Sequence, residues 1–251
     1  MEVQGKTAIV MGGGSGIGRA TALALASHGA AVAVGDLEAE RVEGVVQEIQ
    51  ETGQQALGSV VDVTQRKQVK EMVRLTLEAF ERIDILVNSA GIFPQATVQD
   101  MSEEEWDQVI AVNLKGTFLP CKAVLDHMIE NQRGRIINIS AGHAMRGFPK
   151  GAHYCASKAA VNALTKTLAL ELAPYGIVVN AVAPGPVDSP LLRGGRLYTE
   201  EEKQNIGSQL PLGRMGTPEE IASMVLFLAS DDCRWFTGQI VYQNGGDMML
   251  G

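Results

Sequence analysis

Short apolar runs rich in β-branched residues alternate along this chain with longer segments of helical period, and that alternation is what most limits its fold. The runs are KTAIVM, AAVAVGD, LGSVVDV, IDILVNSAG, GRIINIS, GIVVNAVAPG and GQIVYQNGG. Between them lie Ile17 to His28, Glu38 to Glu51, Gln65 to Arg82, a helical stretch from Ser102, a helix carrying Tyr154 and Lys158, and a helix near Pro218 to Ser230. Strands that are apolar at successive positions must be buried on both faces, which calls for a parallel sheet covered by helices on each side. We therefore expect a doubly wound α/β architecture, with residues 1–251 as a single domain.

Composition removes several classes of function. The balance of 21 basic against 29 acidic residues, net -8, repels a phosphate backbone, and Lys and Arg form no stripe, so nucleic acid is not an expected partner. No apolar run approaches the roughly 20 residues that cross a bilayer, and MEVQGKTAIVM lacks a basic segment followed by an apolar one. The chain reads as soluble and cytoplasmic, with no membrane partner. Cys121, Cys155 and Cys233 are widely spaced and free of any CxxC, so we expect buried thiols and no metal site. One long irregular stretch, Pro184 to Gly216, is rich in Pro, Gly and charge and holds a short helical piece near Thr199 to Ser208; it reads as a substrate lid.

The first strand runs into MGGGSGIGRA, which sets Gly12, Gly16 and Gly18 in a strand-to-helix turn. Glycine permits positive φ and close approach of the backbone to a ligand, and the N-terminus of the next helix offers free N–H groups to a pyrophosphate. Asp36 closes the second strand, where a carboxylate accepts hydrogen bonds from ribose hydroxyls and repels a 2′-phosphate. Ser15, Gly35 and Leu37 bring no compensating cation, and Arg19 lies one position inside the helix, directed to solvent or a packing partner. NAD is favoured over NADP, with Ile17 and Leu37 also expected at the cofactor.

Tyr154 and Lys158 are four residues apart in HYCASKAAV and so share a helix face. Pulling a phenol from its reference pKa of about 10 to about 7 takes roughly 4 kcal/mol, and a fixed positive charge at about 4 Å supplies that amount. The pair reads as a general acid/base for an alcohol or carbonyl oxygen near neutral pH.

With these elements placed, the whole chain resembles the short-chain dehydrogenase/reductases, whose motifs it matches in order. The glycine turn corresponds to Met11 to Gly18, NSAG to Asn88 to Gly91, VNLKG to Asn113, the end of GRIINIS to Ser140, YxxxK to Tyr154 and Lys158, and a PG turn to Pro184 and Gly185. Met11 stands where the family has Thr, and Ser89 where it has a second Asn. The resemblance implies a Rossmann fold and hydride transfer between a nicotinamide cofactor and a secondary alcohol or ketone. It also implies roles: Tyr154 as proton carrier, Lys158 holding the nicotinamide ribose, Ser140 donating to the substrate oxygen, and Asn113, mid-helix, holding a water that connects Lys158 to solvent. Asp62 with Val63 should bracket the adenine, although Asp62 also reads as a helix N-cap. Asn88, Ala90 and Gly91 should pass the riboses, and Val187 should follow the PG turn against the cofactor.

Phe93, His143, Phe148 and His153 are the expected substrate-pocket residues, with Arg193 and Arg196 on the lid. The chain also resembles the 3-oxoacyl-[acyl-carrier-protein] reductases, an activity that generally uses NADPH, and Asp36 and the net charge argue against it. A serine hydrolase lacks its GxSxG elbow here, and a nucleotide-binding regulator would have no need of Ser140, Tyr154 and Lys158 together. The family's usual assembly implies a homotetramer, pairing the apolar helices LPCKAVLDHMI and AAVNALTKTLALEL and the tail ending in Met248, Met249 and Leu250.

Overall fold

The structure is a computed structural model that describes residues 1–193 and 199–249. Arg196 on the expected lid and Leu250 in the tail lie outside the described residues. Seven parallel strands form one sheet: β1 (Thr7–Met11), β2 (Ala31–Asp36), β3 (Ala56–Val60), β4 (Ile85–Asn88), β5 (Gly134–Ile139), β6 (Ile177–Pro184) and β7 (Ile240–Gln243). Their order is β3-β2-β1-β4-β5-β6-β7. β1 is therefore the strand from which the chain winds outward in both directions, and the crevice between the carboxyl ends of β1 and β4 is the topological switch point where such sheets bind ligands.

The helices are α1 (Gly16–Ser27), α2 (Ala39–Glu51), α3 (Arg66–Phe80), α4 (Glu103–Ile110), α5 (Gly116–Glu130), α6 (His143–Arg146), α7 (Ala152–Leu172), α8 (Glu200–Gly207) and α9 (Pro218–Ala229). They divide between the two faces of the sheet, and each face holds its own apolar core. On one, Ala22 and Leu25 of α1 meet Ile221, Val225 and Leu226 of α9 over Val10, Val32 and Ile137. On the other, Met72 of α3, Val124 and Met128 of α5 and Leu168 of α7 cover Ile9, Leu86 and Ile136. Leu25 and Met72 are fully enclosed. Truncating such a side chain to Ala costs about 2–5 kcal/mol.

The helical stretch expected from Ser102 is present as α4 and α5, with a π turn between them. A π-helical turn, Ala111–Lys115, joins α4 to α5 and contains Asn113. Such turns insert a residue into the α-helical ladder and re-aim side chains, and they gather at functional sites. The C-terminal tail is tied down by hydrogen bonds and an ion pair. Asn244 Nδ2 donates to the Met248 carbonyl at 2.7 Å, the Leu212 N–H donates to the Gly245 carbonyl at 3.2 Å, and Arg146 pairs with Asp247 at 2.8 Å. The tail thus folds back across α6 and the segment after α8.

Candidate active site

The turn after β1 is shaped to receive a phosphate. Gly12 has φ 74°, and a Cβ there would stand 2.5 Å from the Ala90 nitrogen, so β1 and the loop after β4 approach as closely as their main chains allow. A Cβ on Gly18 would land on the Gly12 carbonyl oxygen. Ser15 is the N-cap of α1 and makes no side-chain cap, which leaves the first N–H groups of that helix, including those of Ile17 and Gly18, directed at the turn. These positions fit a dinucleotide pyrophosphate.

At the end of β2, Asp36 is held from both sides. Its Oδ2 accepts from the Gly14 N–H at 2.9 Å, and its Oδ1 accepts from the Leu37 N–H at 2.8 Å. Main-chain donors fix the carboxylate in place and leave further lone pairs for ribose hydroxyls. Arg19 is paired with Glu48 on α2, away from this corner. The cation sequence reasoning missed is Arg41: a Cβ on Gly14 would stand 2.9 Å from both the Arg41 Cβ and the Asp36 carboxyl carbon. The Arg41 guanidinium pairs with Glu38 at 2.9 Å. Its position in the first turn of α2, three residues from Glu38, was the signal available. Asp62 makes a local turn, its Oδ1 accepting from the Thr64 N–H at 2.9 Å and the Thr64 hydroxyl at 2.7 Å; Val63 packs where a Cβ on Gly116 would stand.

The loop after β4 meets the catalytic candidates at Gly91, where a Cβ would stand 3.3 Å from Asn113 Oδ1 and 3.6 Å from Lys158 Nζ. Asn113 is fully buried. Its Oδ1 accepts from the Ile92 N–H at 2.8 Å, and its Nδ2 donates to the Ile92 carbonyl at 3.0 Å and the Ser157 hydroxyl at 3.1 Å. The residue placed mid-helix from sequence therefore clamps the Ile92 peptide from the π turn, so the side chain ties the loop carrying Phe93 to α7. Below it, Asn88 Nδ2 donates to Asn138 at 2.9 Å and Asn138 Nδ2 to Thr165 at 2.9 Å, linking β4, β5 and α7 through buried polar groups.

Ser140, Tyr154 and Lys158 are all buried at the C-terminal edge of β5 and on α7. The Ser140 hydroxyl donates to the Lys158 carbonyl at 3.2 Å, and Lys158 Nζ donates to the Ile139 carbonyl at 2.8 Å. The ammonium lies 5.8 Å from the Tyr154 ring centroid. Burial pushes the Lys158 amine down to about 8. The expectation that Lys158 lowers the Tyr154 phenol is not met: burial, with a smaller contribution from Cys155, raises it well above the ordinary phenol value. At neutral pH the phenol is therefore protonated. The turn of Pro184 and Gly185 lies alongside, the Pro184 carbonyl accepting from the Gly142 N–H at 3.0 Å, and Val187 is buried against Gly216.

Three of the four expected pocket residues gather here. The Phe93 ring lies 4.2 Å from Tyr154 and 5.6 Å from Phe148, and His143 lies 4.6 Å from Phe148. His153 does not join them. It is fully buried against α4, its Nδ1 accepting from the Tyr154 N–H at 2.8 Å and its Nε2 within 3.3 Å of Glu105. Adjacent residues of a helix point about 100° apart, so a side chain next to Tyr154 cannot share its direction.

A family profile described as Enoyl-(Acyl carrier protein) reductase matches residues 12–247. The (2S)-[(R)-hydroxy(phenyl)methyl]succinyl-CoA dehydrogenase subunit BbsD of Thauera aromatica is 44% identical over 98% of each chain. The 3-oxoacyl-[acyl-carrier-protein] reductase FabG of Thermotoga maritima is 42% identical over 98% of this chain and 99% of its own. A Staphylococcus aureus protein of the same name is 41% identical over 97% of this chain and 98% of its own. The seven-stranded parallel sheet, the glycine turn at its switch point and this likeness over nearly the whole length agree, and the chain belongs to the short-chain dehydrogenase/reductase family of oxidoreductases.

Proposed function

We propose that the protein moves a hydride between NAD(H) and a secondary alcohol or ketone, with Tyr154 carrying the proton. The observation behind this reading is the convergence of Ser140, Tyr154, Lys158 and Gly91 beside the dinucleotide cradle at one sheet edge. The bound cofactor supplies or accepts the hydride, and the chain supplies position and proton traffic. In reduction, the Tyr154 hydroxyl gives its proton to the carbonyl oxygen. Ser140 turns its hydroxyl from the Lys158 carbonyl to the same oxygen and stabilises the charge that develops there. Lys158 is placed to hold the nicotinamide ribose of the bound cofactor, and Asn113 keeps the Ile92–Phe93 loop in register with α7.

Asp36 favours NAD, because a 2′-phosphate beside its fixed carboxylate meets like charge that costs several kcal/mol. Arg41 supports a second reading, a 3-oxoacyl-thioester reductase using NADPH, since its side chain starts beside the same corner. The three named relatives act on acyl thioesters by their names, which adds that substrate class to the panel. Steady-state kinetics with both cofactors distinguish the readings: kcat/KM is expected to favour NAD(H), and Asp36→Ala to narrow the gap. Equal or better efficiency with NADPH in the unmodified protein supports the second reading instead.

We also propose a homotetramer. Phe118 on α5, Leu170 on α7 and Trp235 before β7 are 41%, 80% and 99% exposed, apolar surface that assembly would cover. Light scattering at micromolar concentration tests it; the mass of one 26.8 kDa chain refutes it.

A further inference from the structure

Beyond the reacting end, the aromatic cluster runs to an ion pair, Arg146 with Asp247, that the reduction of a ketone does not require. The aromatic cluster around Tyr154 extends from Phe93 through Phe148 to His143. At its far side, Arg146 Nη2 lies 3.4 Å from His143 Nε2. The same guanidinium donates from Nη1 to Asp247 at 2.8 Å, and the Asp247 side chain is only 13% exposed. Asp247 belongs to the folded-back tail, which also brings the Met248 methyl to within 3.9 Å of where a Cβ on Gly142 would stand, two residues from Ser140. The tail is thus a wall of the substrate side, and it uses one edge of a guanidinium fork.

We infer that Arg146 takes an anionic group of the substrate, carried several bonds from the reacting carbon, with Asp247 of the tail holding the guanidinium in place for it. An arginine has five donors in a fixed planar fork, so a carboxylate partner on one edge orients the remainder without exhausting it. The rings between Arg146 and Tyr154 suit an apolar or aromatic spacer. The position at the mouth, 40% side-chain exposed, suits a group that stays partly in water while the carbinol is enclosed. This assignment rests on the hydride-transfer reading above and names its substrate class: anionic hydroxy or oxo acids, or their thioesters with a phosphate-bearing carrier. The anion has two possible sources, the carboxylate of the substrate or the phosphate of the carrier.

The test compares ratios within one enzyme preparation, so that loss of folded protein cancels. One arm measures kcat/KM for a homologous series of ω-1 hydroxy acids against their methyl esters. The other compares 3-hydroxybutyryl-CoA with the neutral N-acetylcysteamine thioester of the same acid. A charge-assisted contact at a half-exposed site predicts a preference of about tenfold for the anion in the unmodified protein, falling towards parity in Arg146→Met and kept in part by Arg146→Lys. A preference seen in the first arm assigns the substrate carboxylate, and one in the second arm assigns the carrier phosphate. A preference that survives Arg146→Met, or none in either arm while the neutral members are oxidised, overturns the role of Arg146 and leaves hydride transfer standing. Turnover of no member with either cofactor overturns both.

Discussion

A buried lysine leaves a mark on stability that can be read without any substrate. Lys158 is 3% exposed, and its folded-state value of about 8 lies below the ordinary 10.5. At about 1.36 kcal/mol per pH unit, that gap amounts to roughly 3 kcal/mol of destabilisation while the amine is charged. The sign follows from proton counts. Below about 8 both folded and unfolded chains hold the proton, and the folded state bears the whole cost of keeping a charge in an apolar site. Between about 8 and 10.5 the unfolded chain binds more protons, so stability rises with pH; above 10.5 both are neutral and the cost is gone. Lys158→Met removes the titration along with the hydrogen bond to Ile139, worth about 1 kcal/mol at any pH. Urea denaturation of both proteins from neutral pH to beyond the ordinary lysine value isolates the pH-dependent part. The variant's advantage over the unmodified protein is expected to shrink by about 3 kcal/mol across that range. A stability difference that does not change with pH would show that the amine is not held in an apolar environment.

Other perturbations test the remaining parts. Gly18→Ala puts a methyl group onto the Gly12 carbonyl, so α1 must move away from β1; we expect dinucleotide affinity, measured by quenching of NADH fluorescence, to fall by at least tenfold. Thr217→Ala removes a capping box in which the Thr217 side chain accepts from the Glu220 N–H and Glu220 accepts from the Thr217 N–H, and should cost α9 about 1 kcal/mol in chemical denaturation with little effect on kcat.

Much of the site could be read in the sequence because its parts are local. The glycine turn follows a strand and opens a helix, and Tyr154 and Lys158 share one helix face, so spacing alone predicts their juxtaposition. What sequence did not carry was three-dimensional direction and environment. His153 sits beside Tyr154 in the chain but turns to Glu105 on α4, a partner 48 residues away. The π turn at Asn113 has no sequence signal distinct from a continuous helix, because the extra residue is accommodated by packing against Ile92 and Ser157. The acidity of Tyr154 depends on environment for a related reason. Helix spacing places a charge four residues away, but the Lys158 ammonium is directed at the Ile139 carbonyl and burial of the phenol prevails. The approach of Arg41 to Gly14 depends on how α2 packs beside the glycine turn, which residue spacing does not encode.

The central claim is that Tyr154 moves the proton as hydride moves to or from the cofactor. Its most direct test is Tyr154→Phe, measured for both cofactor affinity and turnover on the best substrate found. The phenol ring is kept and only the hydroxyl is lost, so NADH binding should stay within a few-fold of the unmodified protein while kcat falls by about 10²–10⁴-fold. A variant that binds NADH normally and retains more than about a tenth of the original kcat would assign the proton to another group and contradict the account.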